Sequence, residues 1–550
     1  MPAATLRLLC AAMVVAGYVA MQRVWLPPDG FLSGDSGTKY LQSRAVVSHG
    51  PLTPWVDGPS LDIDTALVWQ EPFLLRRNGH LVGEFPWLLP TLTAPFLALF
   101  GLPGLFVVPA VSAAMVLLAA SAIGRRLGQS AGGLWSGACA LLATPVLVYG
   151  AELWEHAPAV ACSTAGAALL IRSDPIDRRH GAAASVCFAM AFAFRPEAVA
   201  VAPAFLLARA AVLGRRTVAQ DIVALLPGAL VAAAVIVLVN VAVFGSAIPY
   251  HVSSNVAAGL SSLALRAQTM ASMVLPRSGR GVYVAAALAI GIAAFLPATN
   301  GRSWIVRAAV AAMLIVGVVL PIWKVLADGI PWLDAAGMLS LAHTWPLLPA
   351  LGLYAAQSPP REAERVLLFG TVFTLLLILI AVPHAGGAQW SARFLLPAMP
   401  LGAVLAVELA RGRGARLLAI AAIVLAAGVQ IYGLTLLRHF KGINARITHV
   451  TRVLTRPGDI IVTDLFWYPQ VTATLYPTRR FLYARQPGHV DAIASRVAQA
   501  GFDTFWIVTV TPVTGYEPPS SISSGSGPPF VRNVVRDPGV GSLSFHRFVK

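Results

Sequence analysis

The amino-acid sequence predicts an all-α polytopic membrane protein of about thirteen transmembrane helices that ends in a small α/β domain. Three observations lead there. Of 550 residues, 57% are hydrophobic and only 12% charged, about half the charged share of a soluble domain. Apolar runs of about 15 to 23 residues recur as far as residue 436, each near the ~20 residues needed to cross hydrocarbon. Beyond 436 the pattern changes to short β-rich segments, turns and one amphipathic helix.

The first span is read at 5–21 and kept as an uncleaved span, because no clear small-residue cleavage site follows it. A polar outer loop, residues 22–103, comes next. Further spans are expected near 104–124, 131–149, 157–171, 181–194, 197–213, 222–244, 281–298, 308–325, 345–357, 366–383, 393–409 and 417–436. The run PWLLPTLTAPFLALF at 86–100 is read as a Pro-broken segment at the outer face. If it crossed, the clusters Arg125/Arg126, Arg172/Arg178/Arg179, Arg215/Arg216, Arg302/Arg307, Arg361/Arg365 and Arg411/Arg413/Arg416 would no longer share one side. That side is cytoplasmic, with the N-terminus. Eleven of the thirteen tryptophans, all but Trp135 and Trp304, then fall near the outer face, where amphipathic rings favour the interface.

The transmembrane domain is thus 1–436 and the extracytoplasmic domain 437–550. In the latter, DIIVTDLF, RRFLYAR and DTFWIVTV read as strands, HVDAIASRVAQAG as a helix, and EPPSSISSGSGPP as a loop or linker. The net charge of +16 is a topology signal in short loops of an inner-membrane protein and does not call for nucleic acid. The four cysteines all lie in apolar runs, so neither a disulfide framework nor a Cys-based zinc site is expected.

Cations on the outer side run against the positive-inside rule and ask for a function. Lys39, Arg44, Arg195, Arg277, Arg280 and Arg393 are such residues. As a set they can clamp a phosphate, since guanidinium matches it bidentately; singly, each can snorkel or pair with a carboxylate. In GDSGTKYLQ, Asp35 stands where a helix would begin and Lys39 follows four residues later, on the same face. Asp35 reads as an N-cap or as a carboxylate able to take a proton from a hydroxyl nucleophile. In AELWEHAP, Glu152, Glu155 and His156 would share a helical face and could hold a divalent cation or orient an acceptor, or simply cap a helix at the interface. Asp57, Asp62 and Asp64 are read as a solvated loop, and His49, His251, His343 and His384 show no ligand spacing.

These segments together resemble the GT-C class of membrane glycosyltransferases, the group of protein O-mannosyltransferases, aminoarabinose transferases and oligosaccharyltransferase catalytic subunits. The carriers are GDSGTKYLQ, GEFPWLLPTLTAPFLALFG, RRLGQSAGG, AELWEHAP, PRSGRGVY and GGAQWSARFLLPAMP. The resemblance implies a sugar donor linked through phosphate to a polyprenyl chain and an inverting, single displacement at the outer face. It implies a catalytic carboxylate at Asp35, a second acid at Glu152 or Glu155, and phosphate-holding cations at Lys39, Arg280 and Arg393, to which the outer-cation argument adds Arg195. Because the second acidic loop reads E-L-W-E-H and not Asp-x-Asp, the cofactor stays unknown, with a divalent cation as one possibility. Expected partners are a polyprenyl-phosphate-linked sugar, membrane lipid and an acceptor glycan, lipid or protein, with no nucleic acid. The alternative function is a transporter or flippase of lipid-linked saccharide, against which stand the scarcity of ionisable residues mid-span, Lys324 and Glu408 being the nearest, and the absence of an inverted repeat. A third reading is a non-catalytic assembly protein.

Overall fold

A computed structural model describes residues 3–57, 73–77, 79–130, 133–172, 174–248, 263–276, 279–295, 300–321, 323, 340–356, 361–382, 389–412, 415–484, 486, 489–510, 517–524, 527–537, 539 and 542–550. Asp62, Asp64, His251, Arg277, Lys324, His384 and Arg413 lie outside the described residues. In chain order the helices are α1 (Ala3–Val24), α2 (Gly34–His49), α3 (Leu88–Phe100), α4 (Val107–Arg126), α5 (Leu134–Leu142), α6 (Val146–Tyr149), α7 (His156–Leu170), α8 (Arg178–Phe194), α9 (Val201–Leu213) and α10 (Arg215–Phe244). There follow α11 (Leu263–Val274), α12 (Arg280–Phe295), α13 (Asn300–Leu314), α14 (Leu341–Thr344), α15 (Leu348–Ala356), α16 (Glu362–Ala381), α17 (Met399–Arg411), α18 (Arg416–Leu454), α19 (Tyr468–Val471) and α20 (His489–Gln499). Strands β1 (Leu74–Arg77) and β2 (His80–Gly83) precede α3, and β3 (Ile460–Thr463), β4 (Arg480–Tyr483), β5 (Thr504–Thr509), β6 (Ser521–Ile522), β7 (Phe530–Arg536) and β8 (Ser544–Val549) lie near the C-terminus.

The chain forms two compact units. The first is Met1–Ala20, Phe106–Ala242 and Ser246–Thr435; the second is Met21–Leu105, Val243–Gly245 and Leu436–Lys550. Among the described residues seven helices are long and apolar enough to cross a membrane, and four shorter apolar helices accompany them. Several of the thirteen expected runs therefore form shorter or broken helices. The run 131–149 is split into α5 and α6 at Thr144-Pro145, because proline disfavours helical backbone before it and supplies no N–H. In the first unit, α10 leaves Leu230, Val231, Val235, Leu238 and Val241 exposed, an apolar surface that suits hydrocarbon and not water.

Buried polar contacts tie elements of the first unit together. Arg209 of α9 and Asp221 of α10 pair with both side chains fully buried. Gln430 of α18 accepts from Trp390 Nε1 at 2.8 Å and donates to Thr344 O at 2.6 Å. With lipid unable to hydrogen-bond, such groups must be satisfied within the protein.

In the second unit, α2 packs against α3 and α19, with Ser43 Oγ and Thr93 Oγ1 2.9 Å apart. The polar loop read at 22–103 contains an antiparallel hairpin, β1–β2, registered Leu74↔Gly83 and Arg77↔His80. Its Asn-Gly pair at 78–79 is the sequence signature of a two-residue turn, and Gly79 has φ +82°. The helix α3 has only 13 residues and an internal Pro95, roughly 20 Å at 1.5 Å per residue, shorter than a bilayer core.

The expected strands and helix of the C-terminal segment are β3, β4, β5 and α20. The three strands belong to a six-stranded sheet of order β4-β3-β5-β8-β7-β6, parallel across β4-β3-β5 and antiparallel from β5 to β6. Val490, Ile493, Ala494 and Val497 form the buried face of α20 and join Ile460, Val462, Phe505 and Phe548 in one core, as their i, i+3, i+4, i+7 spacing dictates. Part of the segment read as a linker, Ser521–Ile522, pairs with β7 as the edge strand β6.

Candidate active site

The candidate residues fall into a group in the first unit and a group in the second. In the first unit, the turn between α6 and α7 carries Glu152, Glu155 and His156. The expected shared helical face does not form: Glu155 is the N-cap of α7 and Glu152 lies in the turn before it. Pro158 sits in the first turn of α7, the place where its missing N–H costs no bond, so the helix begins at His156. The Glu155 carboxylate thereby lies at the positive end of α7, which favours an anion.

Arg195 reaches the same turn from the end of α8. It precedes Pro196, which forces extended backbone (φ −146°, ψ 120°) and ends the helix there. Its Nε donates to Glu197 Oε1 at 2.8 Å, and its Nη1 lies 3.5 Å from Glu155 Oε1. His156 Nε2 is 4.0 Å from Glu197 Oε1. Glu197, which sequence reasoning passed over, is thus a direct hydrogen-bond partner of Arg195; the Arg-Pro-Glu triplet at a span end was the available signal.

Arg393 enters from the segment before α17. Its guanidinium lies 4.8 Å over the Trp154 ring and 5.4 Å over Phe394, and Arg195 lies 5.5 Å from the other residue's partner ring, Phe394. The rings of Tyr149, Trp154 and His156 pack together at tilted angles of 31–43°, with centroids 5.2–5.4 Å apart. All of these side chains are buried. Two residues before Arg393, Ser391 adopts φ +64°, the left-handed region, and its hydroxyl is 2.6 Å from Thr344 Oγ1. Tyr149 donates to Trp390 O at 2.6 Å. The Trp390–Arg393 turn is therefore fastened to α6, α14 and α18 by Tyr149, Thr344 and Gln430.

Arg280 is not part of this buried group. It is exposed at the start of α12 and donates through Nε to Pro276 O at 3.0 Å.

In the second unit, Ser33 and not Asp35 is the N-cap of α2, and Asp35 stands in the first turn, partly exposed. Lys39, one turn on, is buried with Nζ 4.1 Å over the Phe85 ring. Gln42 donates to Gly83 O at 3.3 Å and Phe85 O at 2.9 Å, fixing the hairpin strand and Phe85 on α2. Phe73 stacks on Phe466 at 6.5 Å. Lys441, fully buried on α18, was also passed over, in a stretch just past 436 that was given no element of its own.

Among the described residues no three His, Cys, Asp or Glu side chains come together as a metal-binding set. Glu152, Glu155 and His156 do not form one.

No family model matches the sequence, and no curated protein matches it. In overall structure the chain is similar to ArnT from Cupriavidus metallidurans bound to undecaprenyl phosphate, at 15% identity and TM-score 0.44 over 99% of this chain and 97% of that one. It is also similar to the oligosaccharyltransferase of Archaeoglobus fulgidus in the apo form, at 10% identity and TM-score 0.43 over 91% of this chain and 69% of that one.

Proposed function

We propose that the chain is a membrane glycosyltransferase that moves a sugar from a polyprenyl-phosphate donor to a hydroxyl acceptor on the extracytoplasmic face of the plasma membrane. In this reading the N-terminus is cytoplasmic and the C-terminal domain lies outside. The observation that carries it is the group of buried Glu155, His156, Arg195 and Arg393 with the largely covered Glu197, in a unit built from apolar helices. Ionisable groups are costly at membrane depth and are kept there for a task.

The reaction is a single displacement with inversion. The Asp35 carboxylate takes the proton of the acceptor hydroxyl while its oxygen attacks the anomeric carbon. The bond between that carbon and the phosphate oxygen breaks, and its electron pair leaves with the polyprenyl phosphate. Arg393 and Arg195, which both lie against Phe394, are assigned to the phosphate, where charge grows during the step. The Trp154 and Phe394 rings lie 4.8 and 5.4 Å from the Arg393 guanidinium, a group whose fork suits bidentate contact with an oxyanion. Glu155 and Glu197 set the direction of Arg195, and Glu152 and His156 are candidates for orienting the acceptor.

The test is sugar transfer by the purified full-length protein from labelled polyprenyl-phosphate sugars. Asp35→Asn is expected to lower turnover by roughly 10² to 10⁴, and full turnover in that variant would remove Asp35 as the base. Movement of the donor across a vesicle membrane with its sugar–phosphate bond intact would favour transport instead.

A further inference from the structure

The first turn of α2, which carries Asp35, is gripped by a residue more than four hundred positions later in the chain. Gly34 and Gly37 stand three apart, on one face of the helix, and together they form a notch. Gln470, buried in α19, fills it. A Cβ on Gly34 would overlap the Gln470 side chain at Oε1 and Cδ, and a Cβ on Gly37 would overlap the Gln470 backbone carbonyl. Glycine is required at both places by close approach.

Both halves of this contact rest on α18. Asn444 donates to Phe31 O at 2.5 Å and Leu32 O at 3.3 Å, tying down the chain just before α2. Thr448 donates to Val471 O at 3.2 Å, Thr451 meets the Tyr468 hydroxyl at 2.7 Å, and Gln470 Nε2 donates to Phe466 O at 3.1 Å. The Gln470 side chain thus presses on the glycine face of α2 from a seat that is itself fixed.

We propose that Gln470 is a positioning residue: lodged between Gly34 and Gly37, it sets the first turn of α2 and with it the direction of the Asp35 carboxylate. The proposal rests on the reading of Asp35 as the base, and it gives the C-terminal segment a part in the reaction without contact with the reacting atoms.

The two glycines make the test selective. The severe overlaps at Gly34 are with Gln470 Oε1 and Cδ, which alanine lacks, leaving Cβ at 3.2 Å, so Gln470→Ala should relieve Gly34→Ala; the severe overlap at Gly37 is with the Gln470 backbone carbonyl, so no change of side chain at 470 should relieve Gly37→Ala. Two readouts are taken on the full-length chain. One is the pH dependence of alkylation of Asp35→Cys by a water-soluble iodoacetamide, with the four native cysteines replaced. The other is donor turnover in chains that keep Asp35. Gly34→Ala is expected to shift the reactivity at position 35 severalfold and to lower kcat by roughly 10²-fold with the donor KM unchanged, the effect of a small displacement of a reacting group. Adding Gln470→Ala should restore both.

Unchanged reactivity in Gly34→Ala, rescue of neither glycine variant, or equal rescue of both would overturn the proposal. Should Gly34→Ala not fold, Gln470→Ala alone carries the test, since it only empties the notch: altered reactivity at position 35 supports the proposal and unaltered reactivity overturns it. If the alkylation pattern is as expected while the unmutated chain transfers no sugar, the contact stands and the assignment of Asp35 as base fails.

Discussion

Arg209 and Asp221 form an ion pair sealed from solvent, with Nε 2.7 Å from Oδ2 and Nη2 3.1 Å from Oδ1. The guanidinium also donates to the carbonyls of Leu170 and Arg172 at 2.7 Å and of Asp174 at 2.9 Å, and Asp221 accepts from Ile176 N at 2.9 Å. One pair therefore caps the end of α7 and fastens the α7–α8 link to α9 and α10. Arg209→Met strands the carboxylate and three carbonyls, and should cost about 3 to 5 kcal/mol. Arg209→Lys should recover little, because an ammonium lacks the fork that reaches both partners. Thermal unfolding of the detergent-solubilised chain checks both.

Arg195 stands between two carboxylates, and removing it tests structure and chemistry separately. Arg195→Met should destabilise the first unit, by about 3 to 5 kcal/mol, because Glu155 and Glu197 lose a buried counter-charge. The triple variant Arg195→Met, Glu155→Gln, Glu197→Gln should regain much of that stability while transfer stays lost. The comparison of melting temperature with turnover decides it: a triple variant that transfers at full rate would make the group purely structural.

Ser391 holds a left-handed backbone two residues before Arg393, at a cost of roughly 1 to 2 kcal/mol for a residue with a Cβ. Ser391→Gly relieves that cost and gives up one hydroxyl contact of similar worth, so stability should change little. Ser391→Val keeps the strain, adds a β-branch and loses the contact. The donor KM is expected to rise in the valine variant and to stay near its parent value in the glycine variant, as initial-rate kinetics would show.

His546 of β8 is buried, and burial, reinforced by Arg532 and opposed by Glu517, holds its imidazole below the ordinary histidine value. A lowered folded value means that the unfolded chain takes up the proton first as pH falls. The sheet should therefore keep its full stability above about pH 6.5, the ordinary histidine value, and lose it progressively as pH drops through the lowered one. His546→Phe should abolish this acid-side loss, measured as the melting temperature of the second unit between neutral and mildly acidic pH.

Local pattern made much of the architecture legible. The period of α20, the β-rich runs of β3, β4 and β5, the apolar lengths of α4, α10, α16 and α18, and the Arg-Pro stop after α8 are each written in a few consecutive residues. The hairpin β1–β2 was equally local, signalled by Asn78-Gly79, and lay unread inside a segment taken as polar loop. The break at Pro145 and the start of α7 before Pro158 follow from proline's missing N–H, which outweighs the apolar run and the i, i+3, i+4 spacing around it.

By itself the sequence determined which residues are candidates: apolar stretches select a membrane-type unit, and acids and cations at their ends are conspicuous there because charge is costly in hydrocarbon. Only the tertiary structure decided what those residues meet. Arg195 finds its carboxylates at Glu155 and Glu197, Lys39 is buried under Phe85, Arg280 is left exposed, and Gly34 and Gly37 receive Gln470. Helix and strand periods are set within a turn or two of chain, whereas the partner of a buried charge or of a glycine notch is set by how distant elements pack, which no local spacing encodes.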